Sequence, residues 1–236
     1  MKLSIIIPIK NEELLIKKII DKLQSKLKSL PYEIIFINDF STDNTFKITE
    51  ELIKNKSEIN LYDNTRKGLG GAISQGISKS TGEAVCIMMS DLSDSTEDLE
   101  KYYNILKNEE FDAVFGSRFI TGSQIIDYPK KKLILNRIFN IITKLLFISN
   151  YNDFTNAFKI YKRKALLKTF PLVSESFNIF LELPLKIISR KMKYKIIPIS
   201  WVNRKEGISK FDIKELRAKY LFTLIYCFIE KVLLKK

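Results

Sequence analysis

The chain has 236 residues, 45% of them hydrophobic and 28% charged, the proportions of a globular protein long enough to bury a full core as one large domain. Its net charge of +13 has two explanations, an anionic partner or a compositional bias toward Lys. With no histidine, the chain has neither a Ser-His or Cys-His nucleophile system nor an imidazole metal site, so acid-base and metal work falls to carboxylates and hydroxyls.

Leu3 to Ile9 is an apolar strand that runs into Lys10, Asn11, Glu12 and Glu13, and a helical spacing follows through Leu14, Leu15, Ile19 and Leu23. Lys2 leads directly into this strand, so no signal peptide is expected. Glu33 to Ile37 is a second strand. It breaks into Asn38, Asp39, Phe40, Ser41, Thr42, Asp43, Asn44 and Thr45 before helical spacing resumes at Phe46, Ile48, Thr49, Leu52 and Ile53. Gly68, Gly70 and Gly71 then form a flexible turn or a place where backbone approaches something closely.

A third apolar run from Ala84 to Met89 ends in Ser90, Asp91, Ser93 and Asp94. Two readings stand here: a helix start with Ser95 as N-cap and Asp98 as a capping-box variant, or a site in reach of a divalent cation or diphosphate. Strands alternating with helices predict βαβ units and a parallel sheet. The three polar, mostly acidic loops then share one edge, where open α/β sheets bind ligands.

The second half is regionally basic: Lys130 to Lys168 holds ten Lys or Arg and one acid, Asp153. Finger spacings, RNP-like strands and basic heptads are absent, so nucleic acid is not the expected partner. Leu133 to Ile148 is almost wholly apolar, with Asn136, Arg137, Asn140, Thr143 and Lys144 on one stripe. Leu221 to Leu234 is similar, with Glu230 and Lys231 on its polar side. Both are too short to span a bilayer, leaving a membrane-interfacial helix, a core helix or a dimer seam. Cys86 in a strand and Cys227 in a helix suit a reducing cytoplasm rather than a disulfide framework.

The runs IIIPIKNEE from Ile5, NDFSTDNT from Asn38, RKGLGGAISQGI from Arg66, GE at Gly82, SDLSDSTEDL from Ser90, GSRFITGS from Gly116, DFTNAFKIYKR from Asp153 and RKEGISKF from Arg204 follow one another in order. In this the chain resembles the family 2 glycosyltransferases, most closely their dolichyl-phosphate mannose synthase-like branch, which includes polyprenyl-phosphate hexosyltransferases. The resemblance implies an α/β, Rossmann-like GT-A fold with a mostly parallel central sheet and helices on both faces. It implies a catalytic domain over residues 1–211 and a C-terminal amphipathic, membrane-interfacial helix over 212–236.

Carried over by position, Pro8, Lys10, Glu12, Ile37 and Asp39 would hold the nucleoside. Arg66 or Lys67 would sit near the nucleotide and Ser90 beside Asp91, while Ser41 and Asp43 shape their loop. Asp91 would ligate Mg2+ or Mn2+ on the donor diphosphate. The family pattern is Asp-x-Asp followed two residues later by Gln. This chain has Met89 where the first carboxylate is expected, which leaves Ser93 and Asp94 as further metal-side oxygens. Arg118, Arg204 and Lys210 match positions that face the donor diphosphate and the acceptor phosphate. Asp153 orients the acceptor or the metal shell, or caps a turn.

The implied reaction is inverting transfer of a hexose from GDP-mannose or a UDP-sugar to polyprenyl or dolichyl phosphate, at the cytoplasmic face of a membrane to which the protein binds peripherally. Two alternatives stand beside it. One is a transferase acting on a glycan or other soluble acceptor, with the apolar helices as core or homodimer seam. The other is a basic binding protein without activity.

Overall fold

The computed structural model describes residues 1–91, 94–202 and 213–234, with 202 and 213–217 as backbone alone. The first half alternates strictly: β1 (Leu3–Ile9), α1 (Ile16–Lys26), β2 (Tyr32–Asn38), α2 (Thr45–Ile53), β3 (Ile59–Asp63), α3 (Leu69–Lys79), β4 (Ala84–Ile87) and α4 (Thr96–Asn108). Then come β5 (Ala113–Ser117), β6 (Gln124–Ile126), α5 (Lys130–Phe147), β7 (Lys159–Lys162) and α6 (Arg163–Leu167). Last are α7 (Ile179–Ser189), β8 (Tyr194–Pro198), β9 (Ser200–Val202) and α8 (Ile213–Leu233).

Seven strands form one sheet in the order β3-β2-β1-β4-β7-β5-β8. All neighbours are parallel except β7, which runs antiparallel to both β4 and β5. The order reverses between β1 and β4, so the loops after these two strands flank the crevice at the switch point. A separate parallel ribbon of β6 and β9 pairs Ile125 with Trp201.

Alternation along β1 sends Ile5, Ile7 and Ile9 to one face, against Ile16, Ile19 and Leu23 of α1 and Leu99 and Tyr103 of α4. Ile6 points to the other face, against Ile73 and Ile77 of α3 and the buried side of α7. Burial on both faces is why these strands read as continuous apolar runs. Ser95 does cap α4, its Oγ accepting the Asp98 amide at 3.2 Å. The carboxylate of Asp98 serves elsewhere, accepting from the Ser200 amide at 3.2 Å and from Lys101 at 3.0 Å.

Helices α5 and α8 are inside out. In α5 the buried residues are Asn140, Thr143 and Phe147, while Ile134, Ile138, Ile141, Ile142 and Leu145 are exposed. In α8, Thr223, Leu224 and Cys227 are buried and Phe222, Ile225, Phe228, Ile229 and Val232 are exposed. Glu230 faces inward too, paired with Lys186 at 3.7 Å and with Arg190, and Lys186 also pairs with Glu182 at 3.0 Å. Packing within the described chain therefore leaves the apolar majority of either helix uncovered. Among the described residues, no helix is long and apolar enough to cross a membrane.

Candidate active site

The loops after β1 and β2 are laced together. Ser41 Oγ accepts the Asn11 amide at 3.1 Å, Thr45 Oγ1 accepts the Glu12 amide at 2.7 Å, and Glu13 Oε2 accepts the Asn44 amide at 3.0 Å. Asp43 accepts the Thr45 amide at 3.0 Å, so Ser41 and Asp43 hold loop shape. Two of the expected nucleoside residues link loops. Asp39 Oδ1 accepts Asn64 Nδ2 at 2.8 Å and the Gly68 amide at 2.7 Å, and its Oδ2 lies 3.8 Å from Lys10 Nζ. Glu12 Oε1 accepts Ser90 Oγ at 3.2 Å, joining the first loop to the one that carries Asp91. Pro8 and Ile37 are register partners inside the sheet, and the Ile37 side chain packs with Ile35 and Ala72. Ile37 therefore reaches a ligand only through its backbone. Lys67 is exposed at the rim.

Gly68 has φ +107, a conformation that L side chains rarely adopt, and it caps α3. At Gly70 the backbone approach is the reason for glycine: its amide donates to Glu175 O at 3.0 Å, and a Cβ would run into Ser174 O. The turn at 173–175 is held in place by Glu182, which accepts the Val173 amide at 2.9 Å and the Ser174 amide at 2.8 Å.

On the other side of Asp91 lies a cavity of about 510 Å³. Asp91, Asp94 and Arg118 stand in its wall with Tyr128, Trp201, Lys132 and Asn136; Phe139, Phe180, Tyr220 and Leu221 make it largely apolar. Arg118 is held from below by Asp153, which accepts its amide at 2.9 Å, Nε at 2.8 Å and Nη2 at 2.7 Å. Burial disfavours the guanidinium charge, but the Asp153 carboxylate keeps its pKa above the usual Arg value. With both oxygens engaged by Arg118 and no exposure, Asp153 orients Arg118 from outside the cavity lining. Three rings surround the guanidinium: Phe119, Tyr128 and Trp201, with centroids 5.3, 5.6 and 5.9 Å from Cζ.

The polar stripe of α5 closes the same site. Asn136 Nδ2 donates to Thr155 Oγ1 at 2.8 Å, and Asn140 Oδ1 accepts the Phe154 amide at 2.6 Å. Beneath, the buried Lys159 donates to the carbonyls of Phe154 (3.2 Å), Asn156 and Phe180 (3.4 Å). Burial pulls this ammonium down to about 7.

Sequence reasoning did not assign Tyr128, Lys132, Asn136 or Trp201 to the site. Asn136 was visible only as a member of the polar stripe, and nothing local marks the other three. Ser93, Arg204 and Lys210 lie outside the described residues.

The residues present fit a hard divalent cation. Asp94 is buried, its Oδ2 has no hydrogen-bond partner among the described residues, and Asp91 stands in the same wall. Burial, together with the Asp91 charge, pushes the Asp94 carboxyl up to about 7, against the opposing pull of the Met89 backbone and the Arg118 and Lys22 charges. No third Asp, Glu or Cys among the described residues gathers with them. Mg2+ is commonly held by one or two carboxylates, with substrate phosphates and water completing the shell.

A family model described as Glycosyl transferase family 2 matches residues 4–170. The chain belongs to this family. The chain is 26% identical over 219 residues to the dolichol-phosphate mannosyltransferase of Pyrococcus furiosus, covering 92% of this chain and 61% of that protein. It is 24% identical over 220 residues to the glycosyltransferase AglD of Haloferax volcanii, covering 90% and 35%. With the polyprenol monophosphomannose synthase of Mycolicibacterium smegmatis it shares 24% identity over 220 residues, covering 90% and 82%. The chain thus spans 61% and 35% of the length of the first two.

Among solved structures, glucosyl-3-phosphoglycerate synthase from Mycobacterium tuberculosis in complex with phosphoglyceric acid matches with a TM-score of 0.74 at 15% identity, covering 96% of this chain and 79% of that one. The same enzyme with Mn2+, uridine diphosphate and phosphoglyceric acid matches at 0.73 and 17%, covering 96% and 78%. The chain has the GT-A fold that the family resemblance implies.

Proposed function

We propose that this glycosyltransferase moves a hexose from a nucleotide sugar to a polyprenyl or dolichyl phosphate, with inversion. One observation carries the reading. The cavity wall holds Asp91, Asp94 and Arg118 together with Leu135 and Leu221, residues that are 53% and 55% exposed on the apolar outer faces of α5 and α8. A ligand that fills it has an anionic head and a hydrocarbon tail that leaves toward lipid.

In this reading the nucleoside lies between the loops after β1 and β2, near Lys10, Glu12 and Asp39, with its diphosphate reaching across the switch point to Asp91. Arg118, pre-oriented by Asp153, binds the acceptor phosphate, with Lys132 and Asn136 across the cavity and Arg204 and Lys210 from the segment after β9. A phosphate oxygen attacks the anomeric carbon, a new C–O bond forms, and the electron pair of the old one departs with the nucleoside diphosphate. The nucleophile is already an anion, so no strong general base is needed, in keeping with a chain that has no histidine. Mg2+ or Mn2+ held by Asp91 and Asp94, with Ser93 nearby in sequence, would supply charge neutralisation for the leaving diphosphate.

The apolar faces of α5 and α8, rimmed by Lys130, Lys131 and Lys231, are then the surface that lies in the headgroup layer of an anionic membrane at its cytoplasmic face. Residues 1–211 make up the catalytic unit and 212–236 its interfacial helix.

The test is incubation with GDP-mannose, UDP-glucose or UDP-N-acetylglucosamine, Mn2+ and a short-chain polyprenyl phosphate, followed by extraction of lipid-linked sugar. Product from one donor is expected. Nucleotide release that depends on a water-soluble acceptor, with no lipid-linked product from any donor, would overturn the reading.

A further inference from the structure

We propose that Tyr128 and Trp201 grip the first isoprenoid unit of the acceptor, next to its phosphate, so that this aromatic pair selects a prenyl phosphate over other phosphate monoesters. The inference rests on the reading of the cavity as an acceptor site and adds the residues that recognise the carbon chain.

The two rings come from different parts of the chain. Tyr128 lies just past β6 and Trp201 within β9, and the pairing of these strands brings the ring centroids to 5.0 Å at an interplanar angle of 48°. Both stand in the cavity wall, half-buried, with one side against Arg118. The guanidinium cannot swing away, because its Nε and Nη2 are tied to Asp153. A phosphate on Arg118 therefore places its ester carbon within the few ångströms that separate Cζ from the ring centroids, 5.6 and 5.9 Å.

Aromatic rings suit that position: they offer a large apolar surface at low entropic cost beside a charged group. The same wall includes Leu135, Phe139 and Leu221, and Leu135 and Leu221 are themselves exposed on α5 and α8. Along the cavity, phosphate, first isoprenoid unit and remaining chain thus meet cation, aromatic pair and aliphatic wall in that order. A polar hexose or glycerate in place of the isoprenoid would set hydroxyls against two ring faces with no matching partner.

Trp201 is the single tryptophan of the chain, so its emission reports on this spot without modification. The experiment titrates the full chain with farnesyl phosphate, farnesol, inorganic phosphate and a nucleotide sugar separately, following tryptophan emission. In parallel, acceptor binding is measured by thermal shift. Farnesyl phosphate is expected to change the emission without donor present, farnesol to do so more weakly, and inorganic phosphate not at all.

Steady-state kinetics of Trp201→Leu should show an acceptor KM raised by about tenfold with kcat and donor KM unchanged, and Trp201→Phe should stay within about twofold of the parent. If Trp201→Leu does not fold, the titration of the unmodified chain still decides. Farnesyl phosphate that binds and is glycosylated without touching the emission, or a response to nucleotide sugar alone, sinks the aromatic grip while leaving the proposed function standing. Absence of both binding and lipid-linked product overturns the two together.

Discussion

Arg118 and Asp153 are joined by three hydrogen bonds of 2.7 to 2.9 Å, in a place where Arg118 is 8% exposed and Asp153 not at all. The pair sets the direction of the one described arginine in the cavity wall. Removing one partner of such a pair strands a buried charge. Asp153→Asn is expected to cost about 3 kcal/mol in denaturant unfolding and to lower turnover. The double variant Arg118→Met with Asp153→Leu should recover most of the stability and none of the transfer, since apolar isosteres replace a buried pair at little cost. Recovery of transfer in the double variant would contradict a role for Arg118 at the phosphate.

Asp91→Asn should lower transfer by at least about 100-fold, the scale of losing one element of electrostatic stabilisation, while circular dichroism and melting stay close to the parent. Asp91 is half-buried in a loop, outside every helix and strand. Near-normal turnover in this variant, or in the parent after chelation, would remove the metal from the mechanism.

Gly70→Ala tests the donor side. Its Cβ would push on Ser174 O and part the loop at 64–71 from the turn that Glu182 holds. The expected result is a donor KM raised by about tenfold with the acceptor KM unchanged, because only binding on one side of the switch point is disturbed. Isothermal titration with nucleotide gives the same comparison without turnover.

Vesicle flotation reads the outer faces of α5 and α8. The chain should float with anionic vesicles and less with neutral ones. Ile142→Glu combined with Ile229→Glu, at positions 47% and 53% exposed, should abolish flotation without lowering the melting temperature. Equal flotation of parent and variant would show that another surface carries the interaction.

Glu33 contributes to the acid limb of the stability curve. Burial alone would raise its pKa, but hydrogen bonds from Lys2, Ser4 and Thr81 bring it down to about 2 from a reference of 4.5. A depressed carboxylate stabilises above its unfolded pKa, and that contribution is lost as pH falls from 4.5 toward 2. The half-exposed Lys2 screens part of it, so Glu33→Gln should cost about 1–2 kcal/mol at neutral pH and flatten the loss of stability between those values. Unfolding midpoints measured across that range, parallel for parent and variant, would exclude this origin.

Periodicity and loop chemistry, which are local, were legible along the chain. Leu3–Ile9 reads as a strand because burial on both faces demands apolar residues at every position, and Ser95 reads as a cap because the amide it accepts is three residues away. From the strand ends came the shared edge, the acidic loops and the resemblance that implied the fold and family.

What tertiary structure alone decided is everything that depends on partners distant in sequence. A stripe of Asn136, Asn140 and Thr143 says that a helix has two faces but not which one meets protein. In α5 the polar face turns inward because Thr155 and the Phe154 amide wait there. Asp153, expected from the resemblance to orient the acceptor or the metal shell or to cap a turn, is joined to Arg118, since sheet packing brings together groups that no local pattern connects. Trp201 carries no motif, and only the pairing of β6 with β9 sets it beside Tyr128 at the cavity. Side-chain period is a property of the backbone, whereas the choice of buried face and the convergence of a site are properties of the whole packed chain.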